Sequence, residues 1–308
     1  METDQKLRFE YYATSCPNVE FVVREEVTKA IENDPGIAAG LLRMHFHDCF
    51  VRGCDGSILI NSTKNNKAEK DSPANNPSLR GFYVIDTIKS RLKKNGCKGI
   101  VSCADIIAFA ARDSVELTGG PPYQVFAGRR DGKVSNATET LLHLPPPTAN
   151  FTQLVKLFKS KNLTLKQMVA LSAAHTLGRA HCTSILNRLY NFSAAVKQDP
   201  SLDRTYANYL KKKCPPNSSA DQVVDMTENP TKFDHDYFTA VLQNRGLFTT
   251  DQALLETKES RYIFNTLNKQ TGGNKRAFTD AMLAMGNTEV LTGKNGEIRT
   301  NCAKVNGH

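Results

Sequence analysis

Eight cysteines, at positions 16, 49, 54, 97, 103, 182, 214 and 302, run from one end of this 308-residue chain to the other. Their number is even, and they do not gather into two close CxxC pairs of the kind that hold structural zinc. They therefore read as disulfides, which tie distant segments of the chain together. The spacing leaves the pairing open, apart from Cys49 and Cys54, which a short-loop bridge suits. Six N-x-S/T acceptor triplets, beginning at Asn61, Asn136, Asn150, Asn162, Asn191 and Asn217, agree with an oxidising, secretory compartment. The opening METDQKLRF lacks the apolar core of a signal peptide. It reads as a mature chain whose leader has given way to Met1.

No Pro/Gly/Ser linker or low-complexity run divides the chain, so one domain, 1–308, is expected, with two lobes at most. Apolar residues make up 40%, enough for a sizeable core. No window approaches the roughly 18 uninterrupted apolar residues of a membrane span, so a soluble protein without a membrane partner is expected. The net charge of +9 comes from scattered Lys and Arg with no interleaved stacking aromatics. That pattern argues against nucleic acid and fits a solvated basic surface compatible with an acidic polysaccharide matrix.

Helical periodicity dominates. Val19, Val22, Val23, Val27, Ala30 and Ile31 mark one face of a first helix, capped by Asn18 and ended at Asp34-Pro35, and residues 36–49 make a second. Ser102 with Asp105 and Thr164 with Gln167 resemble capping boxes that open two more. Further helices are expected near 151–160, 183–190, 203–213, 235–245, 259–269 and 275–286. Strand signals are few: VFAGRRDGKVS and EVLTGKNGEIRTN read as short hairpins around Asp131-Gly132 and Asn295-Gly296. The fold class is mainly α, with about ten helices.

The stretch GLLRMHFHDCFVRGCDGSILI, residues 40–60, concentrates the chemistry. Arg43 and His47 are i and i+4, so a permanent cation and an acid–base imidazole share one helix face, with His45 turned away as a packing residue. The plain alternative is a surface Arg beside a packed His, and the pair alone does not choose. Asp48, Asp55 and Ser57, with turn carbonyls between them, make an oxygen-rich loop suited to Ca²⁺, although the spacing is not that of an EF-hand. A second centre, ALSAAHTLGRAHC, places His175 at the end of a small-residue helix that a flat group could approach closely.

Taken together, these segments resemble the class III secretory plant peroxidases, which are haem enzymes. The resemblance covers essentially the whole chain, through FEYYATSCPN, RMHFHDCFVRGCDGSILI, GFYVIDTIKSRL, VSCADIIAFAARDSV, GGPPYQVFAGRRDG, LSAAHTLG, RLYNF, FDHDYF, RGLFTTDQAL and GNTEVLTGKNGEIRTNC. It implies the plant haem-peroxidase fold, with distal and proximal lobes around one haem b. It also implies His175 as the axial iron ligand, Asp251 as its carboxylate partner, His47 as the distal acid–base group with Arg43, Asn75 holding the distal imidazole, and Phe46 shielding the haem edge. The implied reaction reduces H₂O₂ through a ferryl state, which then oxidises phenolic donors, lignin precursors among them, in one-electron steps.

The same resemblance pairs Cys16 with Cys97, Cys49 with Cys54, Cys103 with Cys302 and Cys182 with Cys214. It implies two Ca²⁺ ions: a distal one held by Asp48, Val51, Gly53, Asp55 and Ser57, and a proximal one held by Thr176, Asp225, Thr227, Lys232 and Asp234. In the proximal segment VVDMTENPTKFDHDYF the separation from Asp225 to Asp234 is one residue longer than the family's, and Glu228 or Asn229 stands where a hydroxyl is expected. Pro145 fits a rim proline that contacts phenolic donors, while Pro73, Thr148 and Ser184 replace rim aromatics. A monomer secreted to the apoplast or cell wall, rather than the vacuole, is expected. Two rival classes are a catalytically silent cell-wall-binding glycoprotein, which would not need Arg43, His47, His175 and Asp251 together, and a zinc hydrolase.

Overall fold

The structure, a computed structural model, describes residues 6–269 and 273–307, so the reading of Met1 lies outside the described residues. Among them the chain is mostly helical, and it divides into two compact units. The first runs to Leu144 and resumes at Met282, and the second is Pro145–Ala281.

In the first unit, α1 (Val19–Asn33) buries Val19, Val22, Val23, Val27 and Ala30, the expected face. Asn18 stands at its N-cap, but its side chain makes no cap bond; the Val19 N–H is satisfied instead by the Cys16 carbonyl. Asp34 is extended ahead of Pro35 and ends the helix. The second helix, α2 (Ile37–Arg52), runs three residues past its expected end and stops at Gly53 (φ +84°). A Cβ at Gly53 would lie 2.4 Å from the Glu289 carbonyl oxygen, so only glycine fits there.

Next come α3 (Phe82–Leu92), which the periodicity reading did not single out, and α4 (Cys103–Leu117). Ser102 caps α4 by accepting from the Asp105 N–H, but the reciprocal half of the box is missing. The buried Asp105 carboxylate is taken by Tyr12 Oη (2.7 Å), the Gly128 N–H (2.8 Å) and Arg129 Nη1 (2.7 Å). The core between α1, α3 and α4 is built from Val23, Val27, Ile85, Ile88, Ile106 and Phe109. Each such side chain contributes about 1.5–3 kcal/mol by leaving water. A short helix, α5 (Ala137–His143), capped by Asn136, closes this part of the chain.

The second unit holds α6 (Phe151–Ser160) and α7 (Leu165–Ser172), the latter opened by the full Thr164–Gln167 capping box. A 3₁₀ turn, Ala173–Thr176, then carries His175. Two short antiparallel strands, β1 (Arg179–His181) and β2 (Val223–Asp225), pair Ala180 with Val224. With α8 (Leu186–Tyr190) and α9 (Arg204–Lys213) they enclose Leu189, Ala207, Leu210 and Leu247. The helices α10 (Asp236–Leu242), α11 (Thr249–Ala253) and α12 (Lys258–Lys269) follow, and α13 (Gly273–Gly286) leads back to the first unit.

The two segments expected as hairpins do not fold back on themselves. They meet each other in an Asp131–Glu297 bridge. The Asp131 side chain is engaged elsewhere, accepting from the backbone N–H groups of Ala104 and Arg299 at 2.9 and 2.8 Å. Gly132 serves a close approach: a Cβ there would lie 2.1 Å from Asp55 Oδ2. The pairing of all eight cysteines is Cys16–Cys97, Cys49–Cys54, Cys103–Cys302 and Cys182–Cys214, as the resemblance implied. No described helix is long and apolar enough to cross a membrane.

Candidate active site

In the first unit, α2 places Arg43 and His47 one turn apart. Arg43 Nε lies 3.0 Å from His47 Nε2. A guanidinium can only donate, so Nε2 is the accepting nitrogen and the ring proton sits on Nδ1. That proton is donated to Asn75 Oδ1 at 2.5 Å. The orientation of the Asn75 amide follows independently, because its Nδ2 donates to the Glu69 carbonyl at 2.7 Å. The imidazole is thus held in one tautomer, with its basic lone pair on Nε2. Burial, and then the Arg43 charge, push the His47 pKa well below its usual value, so the ring is neutral around pH 7. Burial lowers Arg43 to about 10, still cationic at that pH. Two anchors hold the guanidinium, Nη1 to Ser78 Oγ (3.0 Å) and Nη2 to the Ala74 carbonyl (2.9 Å). Phe46 packs edge-on to the His47 ring and against Phe50. His45 is buried beside Arg129, and burial pushes its pKa down to about 3, which suits a packing residue.

The loop after α2 gathers oxygen. Asp48 Oδ2 accepts from the Gly56 N–H at 2.9 Å, whereas Asp48 Oδ1, Ser57 Oγ and Glu69 Oε2 are buried without a hydrogen-bond partner. Burial and the neighbouring Asp55 carboxylate push Asp48 well above the usual carboxylate range. Burial likewise raises Asp55 to about 6 and Glu69 to about 8. Uncompensated buried carboxylates around orphaned oxygens are the electrostatic signature of a cation site. Val51 lies in the last turn of α2, and Gly53, whose carbonyl accepts from the Asp55 N–H, follows it. No group of three or more His, Cys, Asp and Glu side chains forms a metal cage among the described residues. A cation here therefore needs the Ser57 hydroxyl and main-chain carbonyls as well. Glu69 escaped the sequence reading, since nothing in AEKDSPANN distinguishes a buried carboxylate from a solvated one.

In the second unit, His175 Nδ1 lies 2.7 Å from Asp251 Oδ1. The carboxylate accepts that ring N–H, leaving the Nε2 lone pair as a metal ligand. Asp251 is buried and held on its other side: Oδ2 accepts from the Phe248 N–H (2.8 Å), which also caps α11, and Tyr237 Oη donates to Oδ1 (3.3 Å). The Tyr237 and Phe248 rings stand edge-on to the imidazole. An imidazole with one nitrogen fixed on a buried carboxylate and the other bare fits an axial haem ligand.

The residues expected at a proximal Ca²⁺ are differently disposed. Thr176 Oγ1 donates to Asp234 Oδ1 at 2.7 Å, and Thr227 Oγ1 donates to the Thr176 carbonyl at 2.9 Å. Asp225 lies on β2, exposed and paired with Arg179 at 2.9 Å. Lys232 is exposed in a turn closed on Asn229, and no orphaned buried side-chain oxygen lies among these five residues. Pro145 is half-buried, and its carbonyl carries no hydrogen bond among the described residues.

A sequence profile of the peroxidase family matches residues 23–270. The chain is similar to Peroxidase 5 of Vitis vinifera, 54% identical over 99% of this chain and 93% of that protein. It is also 49% identical to Peroxidase 30 and to Peroxidase 3 of Arabidopsis thaliana, each over 98% of this chain and 92% of the relative.

Proposed function

This chain belongs to the peroxidase family, and we propose that it is a secreted, glycosylated haem peroxidase whose electron donors are phenols, lignin precursors among them. Its two units are then the lobes of one haem peroxidase domain, and it works as a monomer in the apoplast or cell wall. The supporting observation is the distal network, a neutral His47 held by Asn75 with its Nε2 lone pair directed at a donor.

Haem b, when bound, supplies the oxidising capacity that peroxide leaves behind and releases it one electron at a time. The chain's residues manage protons and charge. His175 Nε2 would hold the iron, and Asp251, by accepting the hydrogen bond from Nδ1–H, raises the electron density the imidazole offers. His47 Nε2 takes the proton from hydrogen peroxide and returns it to the departing oxygen. In the structure that lone pair is covered by Arg43 Nε, so an incoming peroxide displaces this donor. Arg43 keeps its hold on Ser78 and the Ala74 carbonyl, and its charge faces the oxygen that becomes negative. The free Pro145 carbonyl offers an acceptor to a phenol O–H. Pro73, Thr148 and Ser184 in place of rim aromatics suit bulkier donors.

We assign a Ca²⁺ to Asp48, Val51, Gly53, Asp55 and Ser57, with Glu69 as the neighbouring carboxylate. A second is assigned to Thr176, Asp234 and Thr227, with Asp225 and the Lys232 carbonyl completing the set. The haem-loaded protein should show a Soret band and oxidise coniferyl alcohol, sinapyl alcohol and ferulate only when peroxide is present. A colourless protein holding stoichiometric zinc, or a haem protein without turnover, would overturn this reading, the latter in favour of a silent wall-binding glycoprotein.

A further inference from the structure

The basic charge of this chain has a focus that the peroxidase chemistry does not use. Helix α9, RTYANYLKKK, carries four cations and no carboxylate in ten residues. Its exposed positions, Thr205, Asn208, Tyr209, Lys212 and Lys213, fall on one face at i, i+3, i+4, i+7 and i+8, with Arg204 at the edge. Ala207 and Leu210 hold the opposite face in the core, next to the Cys182–Cys214 bridge at the helix end. Tyr209 is 52% exposed, yet its ring is not free to wander. It stacks on Tyr206 with centroids 6.0 Å apart and planes 15° from parallel. Lys213 Nζ lies over the Tyr209 ring, 5.9 Å from its centre, on a flexible stem that can swing aside.

Lysines in a last helical turn are ordinarily explained by the helix dipole. That accounts for their position but not for a flat, rigid, half-exposed aromatic ring at the centre of the same face. Neither Lys212 nor Lys213 has a carboxylate partner among the described residues. The acid that precedes the helix, Asp203, is used as the N-cap, accepting from the Tyr206 N–H at 2.8 Å.

We infer that this face of α9 is the docking surface for an acidic polysaccharide, specifically a polyuronate chain. A sugar ring presents an apolar face that lies flat on an aromatic side chain, while its edge carries hydroxyls and, in a uronate, a carboxylate. Tyr209 supplies the platform once Lys213 moves off its ring, Lys212 and the displaced Lys213 act as point charges for carboxylates, and Thr205 and Asn208 offer hydrogen bonds to the hydroxyls. A flexible lysine cluster alone would bind any polyanion; the stacked tyrosine is what selects a ring with an apolar face. The inference rests on reading the basic surface as one that meets an acidic matrix.

The test is affinity electrophoresis of the haem-loaded protein through gels containing polygalacturonate, fully methyl-esterified pectin or neutral dextran, at two ionic strengths. Retardation is expected in polygalacturonate alone, weaker at higher salt. Lys212→Glu/Lys213→Glu should lower the affinity by about 10-fold or more, since two weak attractions become repulsions. The paired Arg variant should restore it. Tyr209→Ala should weaken retardation without changing its salt dependence. Lys94→Glu/Lys98→Glu, an equal charge change at exposed positions elsewhere, should leave it intact. Oxidation of a small phenol should be unaffected in every variant. Equal losses from both Glu pairs would reduce the effect to net charge and overturn the site. Equal retardation by the esterified pectin, or equal competition by duplex DNA, would overturn the polyuronate. A wild-type protein that is not retarded at all would remove the acidic-matrix reading itself, leaving the peroxidase assignment untouched.

Discussion

His47 shows how one side chain's chemistry is set by its burial and two neighbours. Burial and Arg43 depress its pKa, while Asn75 fixes the proton on Nδ1. Only the neutral ring can take a proton, so the rate of reaction with peroxide should stay level as pH falls through 6.5, and drop only when pH passes below the depressed pKa. Arg43→Leu removes the nearby positive charge and should raise that pKa, moving the acid limb upward as well as slowing the reaction. Stopped-flow rates with H₂O₂ from pH 3 to 8 would show both effects; an acid limb unmoved by the substitution would mean that burial alone sets the pKa. His47→Ala should lower the same rate by ~10²–10⁴ while the Soret band persists. The i, i+4 spacing of Arg43 and His47 was legible in the sequence, because helical periodicity alone puts them on one face. The anchors Ser78 and Ala74 were not, since they lie in an irregular loop that carries no period.

At the scale of elements, the loop that follows α2 and the turn that follows α7 carry the two expected Ca²⁺ sites, and their oxygens are in opposite condition. The first leaves Asp48 Oδ1, Ser57 Oγ and Glu69 Oε2 buried and unpartnered, whereas in the second Thr176, Thr227 and Asp234 satisfy one another. A cation gains more where its ligands have no alternative partner. Metal analysis during mild chelation should therefore find two Ca²⁺ at first, with the ion near Thr176 leaving before the other. A change in haem spin state should accompany that loss, because Thr176 adjoins His175. Retention of that ion after the other has gone would reverse the order argued here. In the distal loop, Gly132→Ala would drive a methyl group into the Asp55 carboxylate. It should destabilise the fold by about 1–3 kcal/mol, read as a lower thermal midpoint, and deplete the distal Ca²⁺. Asp131-Gly132 reads in sequence as a hairpin turn, yet the glycine is there for Asp55, a contact that spans 77 positions and leaves no local mark.

At the scale of the whole molecule, each disulfide closes inside one unit, and the spans differ widely. Cys103–Cys302 joins residues 199 apart and fastens the C-terminal segment to α4, while Cys49–Cys54 spans only five positions. On loop entropy the long bridge is worth about 5 kcal/mol and the short one about 2. Replacing Cys103 and Cys302 by Ala should thus lower the denaturant midpoint more than replacing Cys49 and Cys54. The short-bridge variant should instead show its effect in Ca²⁺ content, since that bridge frames the Asp48–Asp55 loop. Equal midpoints for the two variants would mean that native contacts of the C-terminal segment carry the closure without the bridge. Those contacts are substantial: Arg299 is fully buried and donates to the Gly56 and Cys302 carbonyls, and Arg129 donates to the Gly286 carbonyl.

The amino-acid sequence alone determined what repeats or abuts along the chain. The helix faces, the Ser102 and Thr164 caps, the paired Arg43 and His47 and the oxygen-rich loop after Cys49 all follow from spacings of a few residues, where backbone geometry converts position directly into direction. Tertiary structure decided everything that depends on a partner far away in the chain. Asp105 abandons its capping box for Tyr12 and Arg129, the two supposed hairpins pair with each other, and Glu69 is buried beside Asp48. The reason is physical. A buried polar group must find a partner wherever folding brings one, and the free energy of leaving it unpaired exceeds the local preference that a short stretch of sequence can express.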